Sequence, residues 1–141
     1  MSIVENRKAR HEYTILDEYR AGIVLVGSEI KSIREGKTNI ADAYCVLINN
    51  ELFIRNMHVD PYEKAQTPHA VRRDRKLLLT KQELKKISNR MIDKGLAIIP
   101  LKLEIDTLIK LQIGIGKGKK LYDKRQTIKD RDVKRDLNRN N

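Results

Sequence analysis

Two neighbouring segments restrict the fold of this chain more than any other feature. In the first, Leu101, Leu103 and Ile105 alternate with Lys102 and Glu104; in the second, Ile109, Leu111, Ile113 and Ile115 alternate with Lys110, Gln112 and Gly114. A period of two gives an extended strand one apolar face and one polar face, so the pair predicts an antiparallel hairpin. A single hairpin cannot bury that apolar face, and more strands must cover it. The runs "YCVLI" and "ELFIRNMHV" flank Asn49 and Asn50. Asparagine tolerates the positive φ of a two-residue turn, which predicts a second hairpin. From Gly22, "GIVLVGSEI" reads as a strand running into a short helix with Ser28 as N-cap, Ile30 and Ile33 one turn apart, and Gly36 past its end. Thr80 and Glu83 have capping-box spacing ahead of an apolar face of Leu84, Ile87, Met91 and Ile92, with Gly95 placed to end that helix.

Several short antiparallel strands with one or two helices, in 141 residues, point to one mainly β domain with flanking helices. A closed or nearly closed barrel is expected, because closure removes exposed sheet edges. An OB-like antiparallel barrel fits best, although periodicity alone leaves an SH3-like barrel or an open α+β sheet in play. The expected division is a barrel domain over 1–116 and a basic C-terminal tail over 117–141. In that tail ten Lys or Arg stand against four Asp, and the sizeable apolar groups are Leu121, Tyr122, Ile128, Val133 and Leu137. Such a segment buries too little surface to offset its ordering entropy, so disorder in the free protein is predicted. The absence of Gly and Pro after Gly118 and the i,i+4 pair Asp130 and Lys134 allow a helix induced by a partner.

The charge balance selects the partner. Thirty Lys and Arg against 19 Asp and Glu give a net charge of +11, which attracts polyanions. Three basic clusters stand out: Arg7, Lys8 and Arg10; Arg72, Arg73, Arg75 and Lys76; Lys117, Lys119 and Lys120. Brought together by a barrel they would track a phosphate backbone, and His11 and Tyr13 could stack on unpaired bases. No apolar run approaches the roughly 20 residues of a spanning helix, the clusters are too irregular for one membrane-surface helix, and "MSIVENRKARHEY" has no apolar signal core, so a cytoplasmic protein without a membrane partner is expected. Cys45, alone in "AYCVLI", reads as a buried thiol in a reducing compartment.

Enzyme readings fare poorly. "GIGKGKK" places three residues between Gly114 and Gly118 and a Lys after Lys119, where a P-loop needs four and a Ser or Thr. Its glycines read instead as a strand end that approaches phosphates closely. His11, His58, His69 and Cys45 lack the paired spacing of zinc ligands, and neither metal nor other cofactor is expected. His11 and Glu12, read as neighbours on a strand, would point to opposite faces and could not serve one substrate as acid and base. The rivals to a dedicated RNA adaptor are a general single-strand binder and a small ribonuclease using His11.

The blocks "NRKARHEY", "AGIVLVGSEIKSIREGK", "NMHVDPYE", "RKLLLT", "PLKL" and "GKGKKLYDKR", in this order, resemble the signatures of the small protein B family of tmRNA (SsrA RNA)-binding proteins over nearly the whole chain. The resemblance implies an OB-type barrel that holds the tRNA-like domain of tmRNA and enters a stalled ribosome with it for rescue and peptide tagging, without chemistry of its own. It implies tmRNA contacts at Asn6, Arg7, Lys8, Arg10, His11, Tyr13, Arg75, Lys76 and Leu78, with Lys117, Lys119 and Lys120 leading into the tail. It further implies ribosome contacts for Tyr122, Asp123, Lys124 and Arg125, near 16S rRNA at the decoding centre and in the mRNA channel, where the tail becomes helical. The free protein is expected to be a monomer. Arg20 stands where the family usually has Glu, Thr80 replaces the usual His or Asn, and "PHAVRRDRK" departs from the usual loop sequence.

Overall fold

The computed structural model describes residues 2–62 and 69–119. Along the chain run β1 (Ser2–Glu5), α1 (Arg7–Glu12), β2 (Tyr13–Ile23), α2 (Gly27–Arg34), β3 (Thr38–Asn39), β4 (Tyr44–Ile48), β5 (Glu51–Arg55) and β6 (His58–Val59). They are followed by β7 (Arg75–Leu78), α3 (Lys81–Arg90), β8 (Leu96–Ile105) and β9 (Ile109–Gly118). The main sheet has the order β1-β8-β4-β5-β7-β2-β9, and β9 also pairs with β8, so β2, β9, β8, β4, β5 and β7 close a ring. The expected antiparallel barrel is therefore present. Strand β1 adds to the same edge of β8 that carries β4: Cys45 of β4 lies opposite Ile98, while Glu5 to Ser2 lie opposite Lys102 to Ile105.

Both hairpins form. Asn49 and Asn50 have φ of 51° and 62°, which brings Ile48 opposite Glu51. At α3 the Thr80 side chain accepts a hydrogen bond from the Glu83 N–H at 3.2 Å, and Glu83 Oε1 accepts from the Thr80 N–H at 3.0 Å. That helix stops at Arg90, and Gly95, at φ +90°, instead turns the chain into β8. Three local expectations change. Of the strand expected from Gly22, only Gly22 and Ile23 are paired, at the end of a much longer β2 that begins at Tyr13, while Val24 to Val26 lie outside it. Ser28 lies inside α2, whose N-cap is Val26; the Val26 N–H donates to Glu29 Oε1 at 2.9 Å, while Ser28 Oγ hydrogen-bonds His69 Nδ1 at 2.8 Å. Strand β9 continues to Gly118, two residues past the expected end of the barrel.

The apolar faces do not feed a single core. The register of β2 against β9 shifts between Ile15 and Asp17, and that of β8 against β9 shifts between Pro100 and Lys102. Each irregularity reverses which residues face inward. Leu103 and Ile105 join Ile33, Leu52, Ile54, Leu77, Ile87 and the β9 isoleucines inside the barrel. Leu101, expected on that same face, belongs with Ala9, Ile99, Tyr13, Ile15 and Ala97 to a second, smaller cluster outside it. Pro100 sits at the β8 shift, where a missing backbone donor is tolerated.

Candidate nucleic-acid interface

The second cluster exists because β9 has no side chain on its outer face there. A Cβ on Gly114 would lie 2.9 Å from Leu101 Cδ1 and 3.0 Å from Ile15 Cγ2; one on Gly116 would lie 2.7 Å from Ile99 Cδ1 and 3.0 Å from the Tyr13 Cβ. These glycines are buried in a strand paired on both sides, so they do not form the phosphate-approaching strand end expected from "GIGKGKK". Their role is to let β2 and β8 side chains close over β9 and to seat α1 on the barrel wall.

Helix α1 touches that seat through Ala9, 2% exposed, which leaves Arg7, Lys8, Arg10 and His11 exposed to solvent. His11 and Glu12 are helical, so the strand argument against a catalytic pair does not apply to them. Consecutive helical residues nevertheless diverge by about 100° around the axis. Arg10 Nη2 pairs with Glu18 Oε1 at 2.6 Å, and Gln112 Nε2 donates to Glu18 Oε2 at 3.1 Å, so β2 and β9 aim this arginine. Tyr13 is half-buried in the second cluster. Asn6 corrects the expectation of an RNA-facing side chain: it is 6% exposed, with its N–H donating to Leu101 O at 2.8 Å and its Nδ2 to Pro100 O at 2.9 Å. It ties the start of α1 to the β8 irregularity.

The third basic cluster converges on the first. Thr14 pairs with Lys117 and Tyr13 with Gly118, and Lys119 Nζ donates to Arg10 O at 3.3 Å. Lys120, Tyr122, Asp123, Lys124 and Arg125 lie outside the described residues, as does the rest of the expected tail after Lys119.

The second cluster of basic residues does not join them. Strand β7 meets β2 at Gly22 and Ile23, nine residues beyond Tyr13, or roughly 30 Å at about 3.3 Å per residue. Its charges are also engaged. Arg75, expected to contact RNA, is 0% exposed, and its guanidinium binds Glu29, which is itself 0% exposed, together with Met57 O at 2.8 Å and Arg73 O at 3.0 Å. Arg73 binds the other Glu29 oxygen. Burial pushes the Glu29 carboxyl up, but the hydrogen bonds from Arg73, Val26 and Arg75 and the nearby Arg75 charge outweigh it and hold the pKa below the usual value. Burial lowers the Arg75 pKa against the opposing pull of Glu29. A guanidinium so enclosed presents no surface to a phosphate in this structure, and Arg75 is, with Glu29 and Ser32, one of the buried polar residues. Lys76, paired with Glu51 at 3.3 Å, and Leu78, 52% exposed, remain accessible. They line a groove of about 620 Å³ between β7, the Asn49–Asn50 turn and α3.

Among the described residues no group of His, Cys, Asp and Glu could hold a metal ion. Cys45 is buried, which pushes its thiol pKa well up and keeps it protonated. His69 links α2 to β6, hydrogen-bonding Ser28 and Val59 O. No described helix is long and apolar enough to cross a membrane. Sequence reasoning missed Glu29, Glu18, Gln112 and Lys102 as neighbours of the basic groups; among these, only the alternation in β8 and β9, which puts Lys102 and Gln112 on a polar face, carried a signal.

The family model described as SmpB protein matches residues 3–141. The SsrA-binding protein of Christiangramia forsetii is 55% identical over 139 residues, covering 96% of this chain and 88% of the relative. Those of Coprothermobacter proteolyticus and Staphylococcus carnosus are 48% and 49% identical, covering 97% and 98% of this chain and 94% and 90% of their own. A solved chain described as "tmRNA-SmpB: a journey to the center of the bacterial ribosome" superposes with a TM-score of 0.68 at 40% identity, covering 83% of this chain and 84% of that one.

Proposed function

We propose, from the premise that this chain belongs to the SmpB protein family, that it binds tmRNA and delivers it to stalled ribosomes for trans-translation. The observation that carries this reading is the match of SsrA-binding proteins across nearly the whole chain. The geometry supports it with a cationic helix, α1, mounted on a rigid wall beside the end of β9. We assign tmRNA contact to Arg7, Lys8, Arg10, His11 and Tyr13 with Lys117, Lys119 and Lys120, and a separate contact to Lys76 and Leu78. Asn6 and Arg75 act from beneath the surface, by holding α1 and β7. Protein and RNA recognise each other by shape and charge, and the protein performs no chemistry; it works in the cytoplasm and is a monomer when free. The tail beyond Lys120 is the ribosome-facing part, with Tyr122, Asp123, Lys124 and Arg125 meeting 16S rRNA in the mRNA channel.

A competition between tmRNA, tRNA and single-stranded RNA for the purified full chain, at one stated salt concentration, tests the reading. Preference for the tRNA-like domain of tmRNA is expected. Equal or better binding of the unstructured RNA would replace the adaptor with a general single-strand binder, and turnover of the RNA would replace it with a nuclease. With tmRNA saturating, the variant with Asp123, Lys124 and Arg125 all changed to Ala should bind normally and fail to tag stalled chains.

A further inference from the structure

Helix α1 presents two different sides. Lys8 and Glu12, one helical turn apart, border a hollow that runs toward Asp42 and Tyr44. Arg7 and Arg10, also one turn apart, border another, of about 310 Å³, closed by Glu5, Asn6, Leu101 and Lys102. Lys102 reaches this second hollow because the β8 irregularity turns it to the outer face, where the ladders set it between Glu5 on β1 and Gln112 on β9. Gln112 holds Glu18, and Glu18 holds Arg10. Two guanidinium groups and one ammonium group thus border one open concavity whose floor, Leu101 and Asn6, is fixed by the second apolar cluster and by the hydrogen bonds to Pro100 and Leu101.

We propose that this hollow is a binding site for one phosphodiester of the bound RNA, and that Lys102 is an RNA-contacting residue. The proposal rests on the RNA-binding reading of α1 and adds to it a residue from a different element, ninety or more positions away in sequence. Arg7 on α1 and Lys102 on β8 supply cations from two different elements, Arg10 enters already held by Glu18, and the phosphate oxygens replace water in the cleft. Glu5 shares the hollow, and its carboxylate opposes the phosphate. Lys102 and Glu5 are directly opposite one another in the β1–β8 ladder, so their effects on RNA binding should have opposite signs.

The test uses the full chain and the tRNA-like domain of tmRNA, with affinity measured over a series of salt concentrations. K102A should weaken binding by about three- to tenfold at low salt and reduce the slope of log affinity against log salt by about one, as for loss of one phosphate contact. K102R should restore both, and E5Q should strengthen binding. Thermal unfolding of all three variants should match the parent, since the side chains lie at the surface. R7A/R10A is the control for the underlying reading. If it leaves the slope unchanged, α1 does not bind RNA and both readings fall. If it lowers the slope while K102A and E5Q leave binding unchanged, or shift it in the same direction, the phosphate site is overturned and the RNA-binding helix stands.

Discussion

The two ends of β2 carry basic clusters that look equivalent in sequence and are opposite in structure. At the Tyr13 end, Arg7, Lys8 and Arg10 stand on a short helix held away from the barrel by a thin apolar layer, and their charges face water. At the Ile23 end, Arg73 and Arg75 turn inward onto Glu29, and Arg75 loses all contact with solvent. The difference comes from what lies beneath. Under α1 is a strand with glycines on its outer face, which accepts a helix, and the carboxylate that meets Arg10, Glu18 on β2, is itself exposed to water. Under β7 is α2, whose first turn offers an acid that also caps the helix. Net charge therefore predicts a polyanionic partner, while only the partners of each cation tell which ones can reach it.

The largest effect should come from breaking the inner cluster. R75A leaves Glu29 buried with part of its compensation gone, and removal of one member of a buried ion pair typically costs about 3–5 kcal/mol. Urea unfolding should register this loss. Because the Glu29 pKa is lowered in the folded state, its contribution is complete above the usual carboxylate value of 4.5 and disappears as pH falls from there through the folded value. The parent should thus lose stability on acidification more steeply than E29Q. A R75A protein as stable as the parent would mean that the two clusters do not differ in kind.

Next, G116A inserts a methyl 2.7 Å from Ile99 Cδ1 and 3.0 Å from the Tyr13 Cβ. Overpacking of this sort costs about 1–3 kcal/mol. If the second cluster is the seat of α1, RNA affinity should fall with stability, whereas R75A should spare affinity in whatever fraction remains folded. Replacing Arg7, Lys8 and Arg10 together by Ala should do the reverse: unfolding unchanged, RNA affinity about tenfold lower, and a flatter salt dependence. An unchanged salt slope would remove this face from the interface. The smallest effect belongs to T80A, which removes the cap of α3 at the far end of β2 from α1. It should cost about 1 kcal/mol of stability and leave the salt slope contributed by α1 unaltered.

Much of the architecture could be read directly from the chain because its causes are local. Asn49 and Asn50 accept the positive φ of their turn, Thr80 and Glu83 cap a helix three residues apart, and alternation marks β9 from Ile109 to Ile115. The basic character and the succession of family motifs are likewise properties of sequence alone. The division of labour among those residues required the tertiary structure. Leu101 and Leu103 have the spacing of one strand face, yet the register shift against β9 sends them to different cores, and a shift of register exists only between two strands. Gly114 and Gly116 read as part of a strand end open to phosphates until the side chains that close over them are in place. Arg75 is written in a basic run, but its carboxylate partner lies 46 residues earlier. Local physics sets conformation over a few residues, whereas burial of a charge depends on which distant group the fold brings to meet it.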